Sequence, residues 1–140
     1  MHIYEREAHY YETDQMGIVH HSNYIRWFEE ARIDMMNHLG IPYKALEENG
    51  VLIPVLSASC VYKHPIRFGE TIVLELVIRN YNGVRFEMAY TGRSKESGLL
   101  SCTGTTQHCF TTSELKPIRL KQKLPQWHEI FLAAAAADNQ

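Results

Sequence analysis

The 140-residue sequence is short of the features that carry several common chemistries. Its cysteines number three, Cys60, Cys102 and Cys109, an odd set with no CxxC pair. That argues against a disulfide framework and for reduced thiols in a cytoplasmic setting. Eight glycines are scattered singly, so no phosphate-cradling loop is present, and no GxSxG elbow exists for a nucleophilic serine. No run approaches the ~20 apolar residues of a membrane span. The N-terminal Met1-His2-Ile3-Tyr4-Glu5-Arg6-Glu7 carries charge where a signal peptide needs an apolar core. Neither sign of charge dominates. With 14 basic and 16 acidic residues the net charge is -2, which lacks the footprint of a dedicated nucleic-acid binder.

What is there is an ordinary globule of 45% apolar and 21% charged residues, of a length that fits one domain over residues 1–140. Residues 3–12 read as a strand and Thr13 to His21 as a loop around Gly17. Ser22 or Asn23 then caps a helix, because their side-chain oxygens accept from the free N–H groups of a first turn. Tyr24, Trp27, Phe28, Ala31, Met35 and Leu39 recur at three- and four-residue steps and place a buried face on that helix, which runs to about Leu39. Arg26, Glu29, Glu30, Arg32 and Asn37 fall mostly outward, Gly40 stops the helix, and a short helical turn follows at Tyr43 to Asn49.

After Gly50 the period changes to two. Strands are expected at 55–63, 71–79, 85–91 and 99–112, with Asn82-Gly83 as a two-residue type I′ hairpin turn and Ser97-Gly98 as a second turn. A C-terminal helix is expected from Pro125, with Trp127, Ile130 and Phe131 on one side. One strand, one long helix, then four strands with short links make an α+β architecture, an antiparallel sheet of about five strands wrapped around the helix.

Few residues offer chemistry. Asp14 sits in a loop that delivers the chain to a helix N-terminus, where unpaired N–H groups face a developing oxyanion. There it suits a general base or a nucleophile, although an Asp before Gly17 also suits a plain Asx turn. His20 and His21 adjoin the same terminus, and at most one of the pair is expected to point inward. His64, Cys60 and His108 share no ligand spacing with them, so no metal is expected. Lys116, Arg119, Lys121 and Lys123 form a basic cluster that reads as solvated surface before a helix. Lys63, Arg67, Arg79 and Arg85 flank turns and are alternative phosphate contacts.

Tyr11-x-Thr13-Asp14-x-x-Gly17-Ile18-Val19-x-His21-x-Asn23-Tyr24 resembles the hotdog-fold acyl-CoA thioesterases of the 4-hydroxybenzoyl-CoA thioesterase type. Within them it is similar to the bacterial acyl-CoA thioester hydrolases related to the thioesterase encoded beside the Tol–Pal genes. Tyr62-x-x-Pro65-x-x-Phe68-Gly69-Glu70 is similar to a second signature of that family. The resemblance covers about residues 3–112, leaving 113–140 as a C-terminal extension. It implies an α+β hotdog fold and hydrolysis of acyl-CoA to a carboxylic acid and CoA, with no cofactor, in a homodimer or homotetramer.

The catalytic carboxylate then falls on Asp14, with His21 beside it. Gly17, Ile18, Ser22, Asn23 and Tyr24 fall on the oxyanion and substrate-binding segment, and Glu29 on an acidic position near the acyl group of some relatives. His20 departs from the tyrosine common in the narrower branch. The Asn82-Gly83 hairpin also lacks the Arg- and Lys-rich turn that meets CoA phosphates in the 4-hydroxybenzoyl enzyme. That leaves Lys63, Arg67 and Arg85 as candidates for CoA, and acyl-carrier protein as the alternative thiol carrier. A hotdog acyl-thioester dehydratase and a non-catalytic acyl-thioester binding domain are the competing readings.

Overall fold

The computed structural model describes residues 1–140. Five strands, β1 (His2–Glu7), β2 (Val55–Tyr62), β3 (Thr71–Arg79), β4 (Arg85–Ser94) and β5 (Leu100–Cys109), form one sheet in the order β1-β3-β4-β5-β2. Every neighbouring pair is antiparallel. Helix α1 (Ser22–His38) buries Tyr24, Trp27, Phe28, Ala31 and Met35. Ile72, Leu74, Leu76 and Ile78, alternate residues of β3, belong to the same core. This is the hotdog arrangement.

One glycine sets how closely helix and sheet approach. The Phe28 ring stacks on Tyr90 with centroids 4.1 Å apart and planes 8° from parallel. A Cβ on Gly104 of β5 would lie 2.5 Å from Phe28 Cε2 and 2.6 Å from the Ser59 carbonyl oxygen. Only a residue without a side chain lets α1 lie this low.

Helix α2 (Tyr43–Glu48) follows α1, and α3 (Leu120–Lys123) leads into α4 (Pro125–Asp138). The C-terminal segment is part of the core. Leu120, Phe131 and Ala135 are buried in it, and Phe131 packs on Tyr81, Phe86 and Phe110.

Several expectations change. The first strand ends at Glu7 rather than residue 12, because Glu12 closes a 3-10 turn over Tyr10–Glu12. Its own N–H donates to the His9 carbonyl, while its carboxylate takes the His9 N–H. The type I′ turn at Asn82-Gly83 does not form. Asn80 and Gly83 take positive φ but Asn82 does not, and the Asn82 side chain accepts from the Val84 and Arg85 N–H groups. Tyr81, drawn onto Phe131, widens the link to five residues. β4 continues to Ser94, and β5 stops at Cys109, after which Thr111 bridges to Leu52 and Pro117.

Neither Ser22 nor Asn23 caps α1 through its side chain; His21 holds the cap position. Arg32, expected outward, is 5% exposed. Its Nη1 donates to Tyr90 OH, whose oxygen shares a hydrogen bond with Thr106 Oγ1. Polar hydroxyls on the inner face of the sheet draw the guanidinium in. His108 Nε2 joins the same Thr106 oxygen, while Arg32 Nε and His108 Nδ1 have no partner.

Candidate active site

Residues 12–20 form a miniature hairpin. Its rungs are His20 N–H to the Glu12 carbonyl, the Thr13–Val19 bridge, and Asp14 N–H to the Ile18 carbonyl. At the tip, the Gly17 N–H returns to the Asp14 carbonyl, and Gly17 takes φ +76°, a conformation that side chains disfavour. Val19 N–H donates to the Ile66 carbonyl, which fastens the returning arm to the segment after β2. The local sequence therefore places Asp14 on the last rung before the turn, half-buried.

Asp14 does make the Asx turn: its Oδ1 accepts the Met16 N–H at 2.8 Å. Its second oxygen makes no hydrogen bond within the chain and is available for chemistry. The carboxylate borders a cleft of about 210 Å3 lined by Met16, Ile18, Val19, His21, Tyr24, Tyr62, His64 and Pro65. Apolar walls and a carboxylate at the mouth of a helix suit a thioester whose acyl part is apolar.

At the start of α1 the two histidines divide their roles. Ser22 N–H donates to His20 Nδ1 at 3.2 Å, and Ser22 Oγ lies 2.8 Å from the same nitrogen. Since Nδ1 accepts, its proton is assigned to Nε2. The Ser22 N–H expected as an oxyanion donor is thereby occupied. The His21 N–H makes no hydrogen bond within the chain and is the free donor at the terminus. The His21 ring is exposed, lies against His20 with centroids 4.2 Å apart, and meets the edge of Tyr62. Both residues are exposed, in line with the expectation that at most one turns inward, and of the two His21 lines the cleft.

Asn23 is buried and tethers rather than caps, donating through Nδ2 to the Glu12 and His20 carbonyls. Tyr24 is buried against Trp27 and Tyr62, and burial raises its hydroxyl pKa above the ordinary value. Arg67 reaches the hairpin tip, its Nη1 3.8 Å from where a Gly17 Cβ would stand. Lys63 and Arg67 lie on the segment that borders the cleft. Arg85 does not: it opens β4 opposite Cys109, whereas the Tyr62 end of β2 pairs with Cys102, seven residues or roughly 23 Å away along β5. Glu29 is exposed about 12 Å along α1 from His21 and does not line the cleft. Of the basic cluster, Arg119 and Lys123 line a cleft of about 550 Å3 with Val84 and Ile118, at the far end of the sheet from Asp14.

Glu12 escaped the sequence reading. It is 4% exposed and its carboxylate takes four hydrogen bonds, two of them a bidentate pair from Arg6 at 3.0 Å each. Burial alone would raise its pKa, but the His9 N–H, Trp27 Nε1–H and Arg6 hold it below the usual carboxylate value. The signal in the sequence is faint: an acid between two tyrosines and the hairpin, with its arginine six residues upstream.

A model of the thioesterase-like superfamily matches residues 9–134. The chain belongs to that superfamily. Among its thioesterase-like relatives is YneP of Bacillus subtilis, which carries a provisional acyl-CoA thioesterase name. It is 38% identical over 134 residues, covering 94% of this chain and 96% of that one. The acyl-CoA thioester hydrolase YbgC of Escherichia coli O157:H7 is 24% identical over 117 residues, 84% of this chain and 87% of its own. Among solved structures, a DHNA-CoA thioesterase from Staphylococcus aureus superposes with a TM-score of 0.93 at 35% identity. It covers 99% of this chain and 93% of that one.

Proposed function

We propose that the chain hydrolyses acyl-CoA thioesters at the cleft between the 12–20 hairpin and the start of α1. The observation that carries the reading is that an Asp14 oxygen without a partner and the helix-terminal residue His21, whose N–H is free, border one apolar-walled cleft. The thioester carbonyl oxygen accepts from the His21 N–H, which stabilises negative charge as the carbonyl carbon becomes tetrahedral. Asp14 takes a proton from an attacking water and returns it to the departing sulfur, giving a carboxylic acid and free CoA. Direct attack by the carboxylate, followed by hydrolysis of the anhydride, uses the same atoms. Lys63 and Arg67 are the cations placed to meet CoA phosphates.

We read residues 1–140 as one domain, in keeping with the burial of Phe131 in the core, and as cytoplasmic, in keeping with three free thiols. No helix is long and apolar enough to cross a membrane. The working form is at least a dimer. Edge strand β2 exposes Val55, Leu56, Val61 and Tyr62, and pairing with a second copy covers them beside the cleft.

Thiol release measured with Ellman's reagent across a panel of acyl-CoAs tests the activity. Turnover of at least one substrate that depends on Asp14 is the expected result, and no release above the buffer rate overturns it. Light scattering that finds only a monomer at micromolar concentration overturns the assembly.

A further inference from the structure

We infer that Glu12 is a positioning residue that holds the Asp14 carboxylate and the His21 N–H in register with each other. The inference rests on the reading of Asp14 as catalytic. Glu12 stands at the base of the hairpin, where the outgoing arm leaves the fold and the returning arm meets it again. Its carbonyl oxygen accepts from the His20 N–H at 2.8 Å and from Asn23 Nδ2 at 2.9 Å, so it pins the end of the hairpin and the first turn of α1 together. Asp14 lies two residues after Glu12 on the outgoing arm, and His21 one residue beyond His20 on the returning one.

The carboxylate of the same residue anchors this junction to three other parts of the chain. Oε1 accepts from His9 N–H at 2.7 Å and Arg6 Nη1 at 3.0 Å, and Oε2 from Trp27 Nε1 at 2.9 Å and Arg6 Nη2 at 3.0 Å. Arg6 is held in turn by Glu30, its Nε 2.8 Å from Oε1, and its guanidinium lies 5.7 Å over the Trp27 ring. Strand β1, the 3-10 turn and the middle of α1 thus meet on one buried anion. Fixed charge partners of this kind define a position more narrowly than apolar packing, because both oxygens are directed at named donors. A misplacement of about 1 Å at a reacting group costs on the order of a hundredfold in rate.

Glutamine at position 12 keeps one carbonyl acceptor but turns an amide toward donors that then lack partners. The hairpin remains, since its backbone rungs remain, while the angle between its two arms and α1 relaxes. Glu12→Gln is expected to lower kcat about ten- to hundredfold with KM changed less than about threefold. The decisive measurement is a cycle with Asp14→Asn, read as residual thiol release well below each variant's melting temperature. If Glu12 acts through Asp14, Glu12→Gln lowers the residual rate less than about twofold in the Asp14→Asn background. An equal fold-loss in both backgrounds overturns the positioning role and leaves a general structural one. Full activity in Asp14→Asn alone would instead refute the catalytic reading, so the two failures are distinct. Trp27 gives a second readout in a Trp127→Phe chain, where it is the sole tryptophan: its emission should shift on Glu12→Gln and not on Asp14→Asn. Should Glu12→Gln fail to fold, Arg6→Gln removes two of the four carboxylate bonds and is read in the same cycle, with the same pattern supporting or overturning the inference.

Discussion

The Met16 N–H donates to Asp14 Oδ1 at 2.8 Å, so one oxygen of the candidate catalytic carboxylate closes an Asx turn and the other is left for substrate. Turn-forming and catalytic roles therefore coexist on one side chain. An asparagine can repeat the first role through its carbonyl oxygen, but cannot take a proton from water.

Asp14→Asn is expected to lower kcat by at least about a hundredfold, the lower end of what general-base catalysis contributes. The melting temperature should stay within about 2 °C of the parent, because the turn is kept. Thiol-release kinetics and a circular-dichroism melt on the same preparation check it. Near-normal turnover would leave Asp14 as a turn residue.

One residue before the His21 cap position, the His20 ring satisfies the first N–H of α1 by accepting from Ser22. His20→Ala should cost about 1 kcal/mol and lower the melting temperature by roughly 3–4 °C. His21→Ala keeps its backbone N–H, so it should lower turnover less than about tenfold and leave the melting temperature in place. The reverse ranking of melting temperatures would show that the His20–Ser22 contact does not stabilise the helix start.

Gly104→Ala brings a methyl group 2.5 Å from the Phe28 ring and 2.6 Å from the Ser59 carbonyl oxygen. The backbone oxygen has no flexible route of escape. Overpacking of this kind should destabilise the fold by about 1–3 kcal/mol in a urea melt. Because α1 starts directly after its cap residue His21, turnover should fall with it. An unchanged melt would mean that helix and sheet separate freely here.

His108 is fully buried, and burial, with the Arg32 charge adding to it, depresses its pKa to about 3. Below about pH 6.5 the unfolded chain binds a proton that the folded one refuses. Its contribution to stability is therefore complete above about pH 6.5 and is lost as pH falls toward 3. Between pH 7 and 5 the parent should lose about 2 kcal/mol more than a His108→Gln chain. Parallel stability curves for the two chains across that range would show that His108 titrates normally.

Much of this molecule is written in local patterns. The three- and four-residue spacing of Tyr24, Trp27, Phe28, Ala31 and Met35 needs no partner to declare a helix face, and the alternation of Ile72, Leu74, Leu76 and Ile78 declares a strand. The segment from Thr13 to Tyr24 locates the candidate carboxylate and helix terminus, since turn and helix start are both made by near neighbours in the chain. An odd cysteine count and a balanced charge are likewise read from composition alone.

Tertiary structure decided the rest, wherever a residue's fate depends on one distant in sequence. Asn82-Gly83 has the composition of a two-residue turn, but Phe131 draws Tyr81 inward and the link widens. Arg32 has the position of a solvent-facing residue, but Tyr90, 58 residues away, takes it inside. Ser22 loses its place as oxyanion donor to a ring whose direction only the folded helix start sets. Glu12 shows the principle most fully. Its charge is legible as a letter, but its burial depends on Arg6 and Trp27 arriving together from a strand and a helix. Sequence periodicity records which face of an element is apolar; it does not record which charges that face will find waiting.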